Sequence, residues 1–67
     1  MLSDAQLNMI ENLRSKYLNL SDYWFDGLMF SSQEEIKSEF KYLNKSNVNE
    51  DESSQLEVLI EIMKLNN

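Results

Sequence analysis

The sequence has no cysteine, no histidine and no proline, and only one glycine, Gly27. Lack of cysteine removes a disulfide framework, a thiolate zinc site and a thiol nucleophile. Lack of histidine takes away the commonest metal ligand and the commonest general base. One glycine without proline leaves no phosphate-cradling loop, little material for tight hairpin turns and no proline-rich ligand motif. Long apolar runs are missing too: the longest, Tyr23-Trp24-Phe25, Leu28-Met29-Phe30 and Val58-Leu59-Ile60, have three residues each. A spanning helix takes about 20 apolar residues, and a signal peptide takes an apolar stretch of about 7–15 behind a basic start. The opening Met-Leu-Ser-Asp is acidic, so the expected location is cytoplasmic. The sequons Asn19-Leu20-Ser21 and Asn44-Lys45-Ser46 are then read as by-products of an Asn- and Ser-rich chain.

What is present is a short acidic chain with enough apolar residues for one core. In 67 residues, twelve Asp and Glu oppose six Lys and Arg, giving a net charge of −6, and 42% of residues are hydrophobic. That apolar fraction is too high for a disordered acidic tail. The length supports one small domain.

Helix signals recur along the chain. Ser3 with Gln6 has the spacing of a capping box, Asp4 suits the first turn, and Leu2 with Leu7 matches a hydrophobic staple. Leu7, Ile10, Leu13, Tyr17 and Leu20 continue at helical spacing, which predicts a helix over about 3–19. In the next segment, SDYWFDGLMF, strict alternation is absent, and a short helix over about 22–30 is expected, capped by Ser21 or Asp22. Ser31 with Glu34, and Ser32 with Glu35, offer two overlapping capping boxes ahead of Ile36, Phe40 and Leu43, predicting a helix over about 32–44. After the polar stretch NKSNVNEDESS, capped through Asn47 with Glu50 or Asn49 with Glu52, a last helix is expected over about 50–65. Its apolar residues cover most of its circumference, so it should be buried on more than one side. These signals predict an all-α fold: a small antiparallel bundle of three main helices with a short helix between the first and second.

Candidate chemistries are few. Asn47, Asn49, Asp51, Ser53 and Gln55 alternate as in a calcium loop, but Glu52 stands where the loop glycine belongs and Val58 where the bidentate glutamate belongs. The carboxylate pairs sit at helix starts or on polar faces, without the desolvating pocket a working acid requires. No enzyme activity, metal or cofactor is expected. Lys37, Lys41 and Lys45 make a basic stripe that fits nucleic acid, but Glu34, Glu35 and Glu39 dilute it and the net charge opposes phosphate binding.

Two features point to protein binding. Glu50, Asp51, Glu57 and Glu61 concentrate negative charge on the last helix, suited to steering a basic partner. Tyr23, Trp24 and Phe25 are adjacent, about 100° apart on a helix, so they cannot all enter one core. The expectation is that Trp24 packs inward while Tyr23 or Phe25 stays accessible as an interface residue. The expected function is a non-enzymatic acidic protein-binding module that blocks a basic partner through Tyr23, Trp24, Phe25, Glu50, Asp51, Glu57 and Glu61. Its composition is of the kind found in inhibitors and immunity-type proteins of phages or mobile elements. A structural homodimer joined through Val58, Ile62 and Leu65 is the first alternative, and nucleic-acid binding through the lysine stripe the second.

Overall fold

A computed structural model describes residues 1–66. Four helices follow one another: α1 (Asp4–Lys16), α2 (Asp22–Met29), α3 (Gln33–Leu43) and α4 (Glu50–Lys64). Among the described residues there is no strand. α4 packs against both α1 and α3, and α2 packs against α1, contacts consistent with a helical bundle. None of these helices is long and apolar enough to cross a membrane.

Local chemistry sets the helix starts. Ser3 Oγ accepts from Gln6 N at 3.1 Å while Gln6 Oε1 accepts from Ser3 N at 2.9 Å, a complete capping box. Of the two overlapping serines, Ser32 caps α3, with Glu35 closing its box. Ser31 serves the preceding helix instead, its hydroxyl donating to the Gly27 carbonyl at 3.1 Å. Asn49 caps α4, receiving Glu52 N at 2.8 Å, and Asn49 N donates to Glu52 Oε1 at 3.0 Å.

α1 ends three residues before the expected boundary at 19. Tyr17 is its C-cap, and the backbone then turns through Leu20 N donating to Tyr17 O at 3.2 Å. Two constraints end it: Ser21 must lie extended to cap α2, and Asn19 Nδ2 donates to Asp51 Oδ1 and Ser54 Oγ of α4. The turn keeps Leu20 in the core and leaves Leu18 exposed.

The core is built from Leu2, Ile10, Leu13, Leu20, Phe25, Leu28, Ile36, Leu43, Val58, Leu59 and Ile62. Two expectations are corrected here. Phe25, not Trp24, takes the innermost aromatic position, and it is 0% exposed. Trp24 is half-buried and meets the Phe25 ring edge-on, with centroids 5.2 Å apart and planes at 73°. The reason is register: Phe25 and Leu28 form the α2 face turned to α1, which leaves Trp24 on the flank. Second, Val58 and Ile62 are fully buried within the single chain, and Leu65 is half-buried. α4 is covered on two sides by α1 and α3, so Val58 and Ile62 are not free to form a dimer seam.

Two polar devices join the helices. Gln6, fully buried, exchanges amide hydrogen bonds with Gln33 at 2.6 and 3.1 Å and donates to the Ile62 carbonyl at 3.0 Å, tying α1 to α3 and α4. Arg14 links α1 to α2, its guanidinium 2.7 Å from Asp26, 3.4 Å from Asp22 and 3.7 Å from Glu11, and 5.7 Å from the Phe25 ring centroid. The Asp26 hydrogen bond holds that guanidinium still more firmly protonated.

Two carboxylates have their charged forms favoured in the folded chain. The Asn49 backbone hydrogen bond, with Lys45, lowers the Glu52 pKa below its ordinary 4.5, and Lys64 does the same for Glu61. A folded-state pKa below the unfolded one adds stability that is present above the unfolded value and is lost as pH falls through the folded value. Stability should therefore decline as pH is lowered from about 4.5. Glu52→Gln, which keeps an acceptor for Asn49 N, should flatten that acid limb, as read by urea midpoints measured across the pH series.

Candidate protein-binding site

An open groove of about 1150 Å³ runs between α2 and α3, with Gln55 of α4 on its lining. Residues from α2 and the connection after it form one wall, and a stripe of α3 forms the other. Tyr23, Gly27 and Phe30 lie at i, i+4 and i+7, while Glu35, Ser38, Glu39 and Tyr42 lie at i, i+3, i+4 and i+7. These spacings place each set on one helix face. The same α3 helix turns Ile36 and Leu43 into the core, so its outer face is left for the groove.

Aromatic rings dominate the walls. Tyr23 is 88%, Phe30 90% and Tyr42 75% exposed, and they are three of the six exposed large hydrophobic side chains among the described residues. Half of that unusual exposure therefore falls on one feature. Trp24 completes the wall and rests on Phe25, so the groove is seated on the core without opening it.

The groove's ionisable lining is wholly acidic apart from tyrosine: Asp26, Glu35 and Glu39, with no Lys or Arg. Asp26 is already paired with Arg14. Glu35 Oε1 accepts from Ser32 N at 2.8 Å, and among the described residues neither Glu35 nor Glu39 pairs with a cation. Two carboxylates one helical turn apart thus line an aromatic groove without a cationic side chain beside them, Glu35 while also closing the α3 capping box. That arrangement suits a cationic, partly apolar surface. Within the described residues, no cluster of three or more acidic side chains is arranged to hold a metal ion.

The residues singled out from the sequence divide between places. Tyr23 and Trp24 line the groove. Phe25 is sealed in the core and has no surface to offer a partner. Asp51 is held by Asn19 at the start of α4. Glu50, Glu57 and Glu61 lie roughly 200–240° around α4 from Gln55, on the side away from the groove. Glu61 is 2.8 Å from Lys64 there. The acidic face of α4 and the aromatics are therefore separate surfaces.

Phe30, Tyr42, Glu35 and Glu39 give no core signal in the sequence, because they repeat on the outward faces of α2 and α3. Read on those faces, helical spacing collects Tyr23–Gly27–Phe30 and Glu35–Glu39–Tyr42. The lysine stripe is partly spent: Lys45 is 3.2 Å from Glu52 and Lys37 is 3.9 Å from Glu34. No protein-family model matches this chain, and no curated protein or solved structure is similar to it.

Proposed function

We propose that this protein is a non-enzymatic binding module that grips a basic partner protein in the α2–α3 groove. The observation that supports it is the gathering of exposed Tyr23, Phe30 and Tyr42 beside the unpaired carboxylates Glu35 and Glu39. Tyr and Trp supply much of the energy of protein interfaces, and nearby charge speeds encounter and selects the partner. The groove is open along the outer faces of α2 and α3 rather than enclosed, which favours a polypeptide occupant over a small molecule. Occluding a basic surface in this way is how an inhibitor or immunity-type protein would act.

The test starts from proteins retained by the native chain in its host. Tyr23→Ala with Tyr42→Ala should leave the fold within about 1 kcal/mol, because both side chains are outside the core. The same pair should cost about 2 kcal/mol or more of binding. Glu35→Gln with Glu39→Gln should slow association and weaken its dependence on salt. Glu57→Gln with Glu61→Gln, on the far side of α4, is the control. If the control pair slows association and the groove variants do not, docking occurs on α4 and this reading fails.

A further inference from the structure

The large groove has a neighbour. A second cleft of about 300 Å³ lies on the other side of Phe30, with Leu2, Leu7 and Met29 in its lining, and it shares Phe30, Ser31 and Glu35 with the first. Phe30, 90% exposed, therefore stands as a ridge between two apolar compartments, with Glu35 at the edge of both.

We infer that the occupant is an amphipathic α-helix of the partner, with an aliphatic stripe flanked by Lys or Arg, laid across Phe30 with one anchor in each compartment. The inference rests on the protein-binding reading of this groove and names what it binds.

The walls argue for a helix. A segment that adds as a strand is held by main-chain hydrogen bonds to a sheet edge. Here the described residues contain no strand, and the wall backbone is occupied by α2, α3 and the bonds closing α2, where Phe30 N donates to Gly27 O and Ser31 N to Leu28 O. A helix satisfies its own backbone and presents one continuous apolar stripe to both compartments, which suits walls that offer no main-chain partners. Anchors at i, i+3 or i+4 and i+7 would then bracket the Phe30 ridge. Gly27 adds room, since a Cβ built there would meet nothing within 4 Å.

Charge selects the flanking residues. Neither compartment is lined by Lys or Arg, and both reach Glu35. A second copy of this chain, at net charge −6, would bring like charge to the same carboxylates. A cationic helix relieves them.

Trp24, the only tryptophan, lines the large groove and reports occupancy through its emission. The probes are tryptophan-free model peptides of about five helical turns. One has leucine and lysine patterned at helical spacing, one has the same composition in strict alternation, one replaces lysine by glutamate, and one is a lysine-containing proline-rich peptide. The helical Leu/Lys peptide should shift Trp24 emission to the blue and bind at least about tenfold tighter than the other three. Phe30→Ala, and separately Glu35→Gln with Glu39→Gln, should each weaken it several-fold with circular dichroism of the free protein unchanged. If the alternating or proline-rich peptide binds as tightly as the helical one, the helix inference is overturned while a basic-segment groove stands. If no lysine peptide moves Trp24, or the glutamate peptide binds equally, the groove reading falls with it.

Discussion

Phe25→Ala should remove about 3–5 kcal/mol of stability, most of what a domain of this size possesses. Phe25 is the largest fully buried side chain. Its ring lies beneath the Arg14 guanidinium and against the edge of Trp24, so the cavity opens where α1 and α2 join. The lost ring also removes a cation–π partner from Arg14 and the support under the groove wall. Trp24→Ala should cost less, since Trp24 is only half-buried, and Tyr23→Ala should stay within about 0.5 kcal/mol. Urea midpoints of the three single variants give the order directly. Equal losses at all three positions would contradict the placement of Phe25 inside and Tyr23 outside.

Gln6→Glu should be nearly as damaging, and its effect should depend on pH with the opposite sign to the acid limb expected from Glu52 and Glu61. Gln6 donates through Nε2 to the Ile62 carbonyl and to Gln33 Oε1, and accepts through Oε1 from Gln33 Nε2 and Ser3 N. An ionised glutamate keeps the accepting side and places a second carboxylate oxygen against two acceptors, at a position that is fully buried. Burial raises the pKa of such a group. A folded-state pKa above the unfolded value of about 4.3 means that stability is intact below that value and falls as pH rises towards the folded pKa. At neutral pH the loss should reach about 3–5 kcal/mol, the cost of an uncompensated buried charge. Gln6→Leu separates the contributions: it leaves Ser3 N, Gln33 and the Ile62 carbonyl short of a partner without introducing charge, and should cost about 1–3 kcal/mol with little pH dependence. A Gln6→Glu variant whose stability ignores pH would show that position 6 is wet.

The helices were legible because their signals are local. Ser3 with Gln6, Ser32 with Glu35 and Asn49 with Glu52 each close within one turn, and each pair is a working box. The choice of Ser32 over Ser31 was not legible, because it depends on Ser31 reaching back to the end of α2. The end of α1 likewise depends on Asn19 meeting α4, more than thirty residues away. Gln6 could be read as a capping residue, but its second role comes from Gln33 and Ile62, which only the packing brings near. At the groove, the need to divide the three adjacent aromatics was clear from helical geometry. Which ring turns inward depends on the side from which α1 approaches α2, a fact about another element.

The packing pattern has a consequence for how this surface can change over generations. One groove wall, α2, leans on α1, and the other, α3, leans on α4, so each wall draws its support from the far side. The exposed rings of Tyr23, Phe30 and Tyr42 contribute little to those supports. Exchanges among large side chains at these positions should fall within the roughly ±0.5 kcal/mol typical of surface substitutions. The outward side chains of the groove can then vary while the buried residues that specify the fold stay as they are.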